Sequence, residues 1–442
     1  MTTPSLSALP RLRRAVALLA LLLGSANAHA QLRLPSLNLP LPQGLPIDNH
    51  LVRDRVAPLL DRTALPDLRE LRLSEVSRLL RQHRRVLEAD PRGDPIVRRE
   101  ILAWSPTPAA LAAAAAAGLT PVRDQRLGEL GETMVVLGVP DGADIGAVLD
   151  RLRALDPEGV YDFNHVYTGT GAAGAAASPE PARTVPSTGA ATRVGLIDSG
   201  VQADHAVFRR NAIRQWGCGD IPHPAAHGTA VAALMVGDGE RFRGVAPGGT
   251  VYAADIYCDS PTGGSAERIA GALGWLARQQ VAVVNISLVG PPNRTLERAI
   301  IVMQQRGHLL VAAVGNDGPA APPLYPASYP GVVGVSAVDR NNVPLPEAAR
   351  GPQVMFAAPG NHMVSAAVGS PPFRQVRGTS FAAPIVSALL AQLVRDPNPD
   401  SARKAIEALA QSALKPDGAT VSNATGHGIL GAPFRIDPAR IR

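Results

Sequence analysis

The chain has 442 residues, 46% of them hydrophobic and 18% charged, with a formal net charge of +6. That length allows two or three domains built around one sizeable core. Much of the basic excess lies before residue 100, in clusters such as Arg11–Arg14, Arg81–Arg85 and Arg98–Arg99, while aromatic residues make up only 4%. A basic stripe interleaved with aromatics, the footprint of nucleic-acid binding, is missing, so no nucleic-acid partner is expected.

The first elements in chain order address export. Arg11, Arg13 and Arg14 precede an apolar run, Ala15–Leu23, and then the small-residue stretch Ser25-Ala26-Asn27-Ala28-His29-Ala30. This is the layout of a secretory signal over residues 1–30, cut after Ala30. The run is short for a bilayer span, although an uncleaved anchor is the alternative. The mature chain is therefore expected to lack a transmembrane segment and to be secreted or periplasmic. Residues 31–97 form an N-terminal extension. Prolines at 35, 40, 42, 46 and 58 mark an extended arm, and Leu68–Val86 carries leucines at near-helical spacing among arginines and glutamates, a basic helix.

Residues 98–168 read as a small α/β unit. Glu100–Trp104 is a strand, Pro108–Ala117 an alanine-rich helix ended by Gly118, and Met134–Val139 a second strand closed by the turn Pro140-Asp141-Gly142. Ala143–Leu155 is a second helix and Val160–Tyr167 a last strand, with room for another near Pro121–Leu127. That order suits a ferredoxin-like fold. Residues 169–192, rich in Gly, Ala, Ser, Thr and Pro, are a linker. From residue 193 to 442 short apolar runs (Val194–Ile197, Val251–Ile256, Val281–Ile286, Leu309–Val314, Val332–Val335) alternate with helices such as Ala266–Gln279 and Leu296–Arg306. This is the pattern of a parallel sheet covered on both faces. The two cysteines, Cys218 and Cys258, favour a disulfide in an exported chain, worth about 4 kcal/mol for a loop of about forty residues, with two free thiols as the alternative.

Four segments of the last domain carry chemistry. Val194-Gly195-Leu196-Ile197-Asp198-Ser199-Gly200 brings a carboxylate to the end of an apolar strand, where open α/β sheets place their sites. His227 opens the small, apolar helix that begins His227-Gly228-Thr229-Ala230. Gly378-Thr379-Ser380-Phe381-Ala382-Ala383-Pro384 puts a serine at the head of another apolar helix, where it is either an N-cap or a nucleophile beside oxyanion-stabilising N–H groups. Ala312-Ala313-Val314-Gly315-Asn316-Asp317-Gly318 ends a buried strand in an amide. A serine hydroxyl needs a base, and the base needs a carboxylate to fix its tautomer. The order Asp, His, Ser supplies all three and differs from that of the chymotrypsins and α/β-hydrolases.

These segments resemble the signature motifs of the subtilisin-like serine proteases, the subtilases of peptidase family S8, and the resemblance spans residues 193–435. Val283-Val284-Asn285-Ile286-Ser287-Leu288, Gly244-Val245-Ala246-Pro247, Tyr325-Pro326-Ala327 and Phe356-Ala357-Ala358-Pro359-Gly360 extend it. It implies an α/β fold of three layers with a mostly parallel central sheet. It also implies a serine endopeptidase acting through an acyl-enzyme, with Asp198, His227 and Ser380 catalytic and Asn316 and the Ser380 backbone N–H as oxyanion hole. Substrate is expected at Ser287, Leu288, Val289, Gly290, Gly315, Asp317 and Leu324. The unit at 98–168 resembles the family's inhibitory propeptide, which makes the chain an autoprocessed zymogen cut within 169–192, with its own propeptide and protein or peptide substrates as partners and a monomeric state. The alternative function is a catalytically silent peptide-binding pseudoprotease.

Two positions depart from the family. Val289-Gly290 stands where two glycines are usual, and Leu324 where a small residue is usual. Both narrow the pocket for the side chain before the scissile bond, so small or medium apolar residues are expected there, while Asp317 argues for a basic one. The chemistry requires no cofactor. The resemblance leaves room for structural calcium, but its loops are not legible and no metal ligands are assigned.

Overall fold

The computed structural model describes residues 68–169, 172–180, 192–209, 212–415, 418 and 421–439. The expected signal sequence, the proline-rich arm and most of the linker at 169–192 lie outside the described residues. A helix, α1 (Leu68–Gln82), comes first. The small unit then runs β1 (Leu87–Ala89), β2 (Pro95–Trp104), α2 (Pro108–Ala116), β3 (Thr120–Arg126), β4 (Thr133–Gly138), α3 (Ile145–Leu155) and β5 (Val160–His165). Four of its antiparallel strands lie side by side as β3, β4, β2 and β5. With the helices inserted after β2 and β4 this is the ferredoxin-like arrangement expected from sequence.

The strands of this unit alternate faces, as strand geometry requires. Ile101, Ala103, Val135 and Leu137 pack under α2 and α3, against Ala114, Leu149 and Leu152. Leu102, Trp104, Met134 and Val136 point the other way, into the core of the main body. The sheet begins at Leu87, so the boundary expected at 97/98 falls inside β2. The charged run Arg98-Arg99-Glu100 hides the continuity of that strand. Arg99 has φ 60° and the register with β5 shifts between Ile96 and Ile101, so a bulge carries these charges past the sheet.

The main body is built on a seven-stranded sheet in the order β15-β14-β13-β11-β8-β10-β9, every pairing parallel. Its strands are β8 (Arg193–Asp198), β9 (Ile213–Trp216), β10 (Thr250–Asp255), β11 (Val283–Ile286), β13 (Leu309–Ala313), β14 (Val333–Val338) and β15 (Val354–Pro359). Two helices cover one face, α4 (Ala226–Val236) and α7 (Thr379–Leu393), with α8 (Pro399–Ser412) outside α7. On the other face lie α5 (Ala266–Arg278) and α6 (Arg294–Gln305), and the small unit packs on these two helices. From β8 the chain first builds towards β10 and then crosses to β11. Such a switch in strand order opens a crevice at the carboxyl ends of the strands.

Five further strands form two small sheets of their own. β12 (Leu288–Val289) pairs with β6 (Thr168–Gly169), and β7 (Ala172–Ala176) joins β16 (Met363–Ala366) and β17 (Phe373–Arg377) in a three-stranded sheet. Part of the expected linker is therefore β-structure, formed against partners distant in sequence. Its Ala-Gly composition gives no alternation from which to expect a strand.

Two helical glycines shape the contact between the small unit and the main body. A Cβ on Gly271 would meet the Gln125 side chain, and one on Gly274 would lie 3.0–3.2 Å from backbone atoms of Leu127. Interior helical glycine costs roughly 0.5–1 kcal/mol relative to alanine. Gly274→Ala is expected to have opposite effects on two forms of the protein. It should stabilise a main body freed of the small unit by up to about 1 kcal/mol. It should also lower the melting temperature of the full chain, because the Leu127 backbone has to retreat. Calorimetry of both forms, in a Ser380→Ala chain to prevent cleavage, checks the signs.

Candidate active site

Asp198 ends β8 at the switch in strand order and is 2% exposed. Its Oδ1 accepts the Ser199 N–H at 2.7 Å and lies 3.1 Å from the Ser199 hydroxyl. Both carboxylate oxygens face His227 Nδ1, at 2.8 and 2.9 Å. This bonding places the proton on Nδ1 and leaves Nε2 to act as a base. His227 is the second residue of α4. The Ser199 hydroxyl accepts the Gly228 N–H at 3.0 Å and Thr229 Oγ1 accepts the Gln202 N–H at 2.9 Å, so the helix head is tied to the loop that follows β8. Gly228 is obligatory here: a Cβ would lie 2.1 Å from the Ser199 carbonyl oxygen.

Ser380 is the second residue of α7 and is fully buried. The His227 and Phe381 rings lie 5.4 Å apart, which sets the head of α7 against that of α4. Pro384 sits inside the helix. It has no N–H to donate to the carbonyl four residues back, which is that of Ser380. The Ser287 hydroxyl takes the place of that donor, at 3.0 Å from Ser380 O. Asn285 Nδ2 donates to Ser287 Oγ at 2.8 Å, and the Ser387 hydroxyl donates to Asn285 Oδ1 at 2.9 Å. A chain of side-chain hydrogen bonds from β11 thus fixes the backbone of the expected nucleophile. The side chain of Ser287, a residue expected at the substrate, serves this chain.

Asn316 follows β13 and is half-buried. Its Oδ1 accepts the Thr379 N–H at 3.1 Å, which fixes the side-chain amide against the head of α7. The Thr379 hydroxyl accepts the Gly315 N–H at 3.3 Å. Gly315 has φ 100°, a conformation that glycine adopts without strain. Around it stand two of the expected pocket residues. A Cβ on Gly315 would be 2.6 Å from Leu324 Cδ1 and 3.6 Å from Val289 Cγ1. Val289, Gly315 and Leu324 are therefore brought together. Gly290 exchanges both backbone hydrogen bonds with Tyr325, at 2.9 and 3.0 Å.

The chain's own residues lie along this cleft. Thr168 is paired with Val289 and Gly169 with Leu288, antiparallel. Tyr167 N–H donates to Gly264 O at 2.8 Å, the Tyr167 hydroxyl donates to Pro291 O at 2.8 Å, and the Tyr167 ring lies on Gly290. Burial raises the Tyr167 pKa well above the ordinary tyrosine value, which keeps this hydroxyl a neutral donor. Beyond residues 170 and 171, which lie outside the described residues, Ala172 pairs with Arg377, three residues before Ser380. On the cleft rim Asp317 is ion-paired with Arg72 of α1 at 3.2 Å. Sequence reasoning missed this occupation and the role of Arg72, because neither leaves a local pattern.

Cys218 and Cys258 form a disulfide across a separation of 40 residues. With Asp255 they are the group of His, Cys, Asp or Glu side chains whose spacing suits a metal ion among the described residues. The sulfurs are bonded to each other, so they offer no thiolates, and Arg268 Nη1 lies 3.1 Å from Cys258 Sγ. The site does not fit a cation. Burial raises the Asp255 pKa despite N–H donors from Cys258 and Tyr257, and the nearby Asp198 charge adds to the rise.

The described part of the chain contains no helix long and apolar enough to cross a membrane. The model of the subtilase family matches residues 189–428. Subtilisin Savinase of Lederbergia lenta is 34% identical over 216 residues, which is 48% of this chain and 79% of that protein. The M-protease of Shouchella clausii is likewise 34% identical over 216 residues, but the match spans only 56% of its length. Among solved structures, fervidolysin of Fervidobacterium pennivorans, a keratinolytic enzyme related to subtilisin, superposes with a TM-score of 0.63 at 19% identity. That match covers 79% of this chain and 62% of fervidolysin, a likeness of fold.

Ser287→Ala tests the hydrogen-bond chain behind Ser380. It leaves the buried Ser380 carbonyl without its donor, at a cost of about 1–3 kcal/mol. Ser336→Ala is the control, since that buried hydroxyl has no hydrogen-bond partner among the described residues. It is expected to leave stability unchanged or raise it, because it removes an unpaired buried hydroxyl and breaks no hydrogen bond. Denaturant unfolding of both variants in a Ser380→Ala chain measures the difference.

Proposed function

Because the chain belongs to the subtilase family, we propose that it is a serine endopeptidase, exported and made as a zymogen that cuts itself. Ser380 Oγ attacks the scissile carbonyl while His227 Nε2 takes its proton, and Asp198 holds the Nδ1–H and stabilises the imidazolium. The oxyanion that forms is held by the Asn316 side-chain amide and the Ser380 backbone N–H, at the head of a helix whose dipole adds to the effect. His227 then returns the proton to the departing amine. Water, activated by the same imidazole, releases the acyl group from Ser380. No metal or organic cofactor takes part.

One observation carries the endopeptidase reading: a polypeptide lies on both sides of the site. Thr168–Gly169 is added as a strand to β12 on one side, and Ala172–Ala176 is added to β17 on the other. Backbone pairing of this kind recognises an extended chain with little regard to its side chains. An exopeptidase would close one side. The same observation supports the small unit as an inhibitory propeptide whose tail fills the cleft. The Arg72–Asp317 ion pair adds a second hold on the cleft rim. The secretory signal read at residues 1–30 and the disulfide both suit export.

Self-cleavage is expected between Gly169 and Ala172. Intact mass after expression with export should give a wild-type chain starting within residues 170–172 and labelled once by a fluorophosphonate. Ser380→Ala should stay joined to its propeptide and unlabelled. An unprocessed, unlabelled wild type would leave the pseudoprotease reading in its place.

Val289 and Leu324 beside Gly315 support a narrow pocket for the residue before the cut bond. The residues between Gly169 and Ala172, Thr170 and Gly171, are small enough for it. Peptide-library profiling should show cleavage after small or medium apolar residues. Leu324→Ala should raise kcat/KM for phenylalanine at that position by about tenfold or more. Dominant wild-type cleavage after Phe or Tyr would refute the narrow pocket, and after Lys or Arg would assign the selectivity to Asp317.

A further inference from the structure

Arg377 is the last residue of β17, three positions before Ser380, yet its side chain turns inward and is 9% exposed. Its Nε donates to Glu347 Oε1 at 2.6 Å and its Nη2 to Glu347 Oε2 at 3.0 Å, a two-pronged pair with a carboxylate that is 1% exposed. Nη1 donates to Asn361 Oδ1 at 3.0 Å. We propose that this buried ion pair is a positioning device that fixes the spacing between Ser380 and the oxyanion donor Asn316. The proposal rests on the peptidase reading of the site.

Two arms of the cleft meet at this pair. One is the loop that carries Asn316. Gly318 N–H donates to Glu347 O at 2.9 Å and Ala349 N–H donates to Gly315 O at 3.1 Å, so the segment around Glu347 brackets Asn316 from both sides. The other arm leads to Ser380. It starts at Arg377 itself, and Gly378 N–H donates to the carbonyl of Gly360, the neighbour of Asn361, at 2.8 Å. The direct links between the arms are the 3.1 Å bond from Thr379 N–H to Asn316 Oδ1 and the 3.3 Å bond from Gly315 N–H to Thr379 Oγ1. Both lie at the reacting groups and are long. The short bonds lie one layer behind, in the ion pair.

The energetics favour a geometric role. Burying a carboxylate and a guanidinium costs several kcal/mol per ion, and apolar side chains of similar volume often match or exceed the stability of such a pair. The pair supplies direction instead. A guanidinium fork on a carboxylate fixes distance and angle together, which a lysine or an apolar contact does not. Oxyanion stabilisation depends on such preorganisation, since the donor has to aim at where the charge will develop. Arg377 also pairs through its backbone with Ala172, so the same residue sets the chain on the leaving-group side.

The test uses the mature enzyme, its concentration set by fluorophosphonate titration so that rates refer to working sites. Arg377→Met and Glu347→Gln are expected to lower kcat about 10- to 100-fold with KM changed less than about threefold, the mark of an interaction made in the transition state. Arg377→Lys, which keeps the charge without the fork, should retain most of the loss. Asn316→Ala alone should cost about a hundred- to thousand-fold, a size taken over from subtilisin, where the loss of one such donor has that effect. In the Asn316→Ala background, Arg377→Met should cost less than about threefold more, because the group it aims is gone. Losses that multiply would overturn the proposal, as would variants equal to wild type per titrated site. Failure of both Arg377→Met and Glu347→Gln to fold would also overturn it, by making the pair a requirement of the fold. A wild type that takes no fluorophosphonate would instead overturn the peptidase reading on which the proposal stands.

Discussion

A carboxylate that is 2% exposed at the end of a central strand has to be compensated, and the rest of the site follows from how Asp198 meets that requirement. The Ser199 N–H and hydroxyl supply part of the compensation locally. The imidazole of His227 supplies the rest from α4, and this fixes where that helix begins. The head of α4 is then constrained at Gly228, which has no room for a side chain against the Ser199 carbonyl. Packing α4 against α7 brings the head of one apolar helix to that of the other, so the position of Ser380 follows from the position of Asp198. The helices are built of small residues because they have to approach this closely. Their lack of a polar face is the expected signature of elements buried on every side.

The motif segments were legible because each is a local pattern: an apolar run that ends in one reactive residue beside glycine. The layered α/β architecture was legible for the same reason, since strand–helix alternation is a property of neighbouring residues. What escaped was held by partners distant in sequence. β7 is Ala-Ala-Gly-Ala-Ala and becomes a strand only on the edge of β17, some two hundred residues later. β16 and β17 do not form an apolar run of their own. α8 carries a full set of start signals, the Asn398 cap on Ser401 N–H and Pro399 in its first turn, and passed unremarked behind the stronger motifs. Ser287 is expected at the substrate from the resemblance, which says nothing of its side chain. The missing N–H of Pro384 gives it to the Ser380 carbonyl.

The small unit and the main body share an apolar core, and several polar contacts between them sit at helix starts. Asp162 accepts the N–H of Arg294, the first residue of α6, at 2.7 Å, and Asn164 accepts the N–H of Glu267 in the first turn of α5 at 3.2 Å. Free N–H groups at helix starts need acceptors, and an anion there also meets the favourable end of the helix dipole. Asn293, the cap of α6, is turned to the small unit as well, with Nδ2 2.7 Å from Phe163 O. Two helices of the main body therefore have their first turns completed by a different part of the chain.

That arrangement bears on how the small unit, as a propeptide, would assist folding. A parallel sheet joins strands that are far apart in sequence, so its loop-closure entropy is spent before most contacts form, and such topologies fold slowly. The four-stranded antiparallel unit is more local and can form first. Once formed, it presents Leu102, Trp104, Met134 and Val136 on one face, with acceptors for α5 and α6 beside them. The small unit packs on both helices, and β11, the strand between them in the chain, lies in the middle of the large sheet. Gly271 and Gly274 would weaken α5 on its own, and each makes room for the small unit, at Gln125 and at the Leu127 backbone. The tail that leaves the small unit runs into the cleft at Thr168, so the unit that packs on α5 and α6 also carries the strand that pairs with β12.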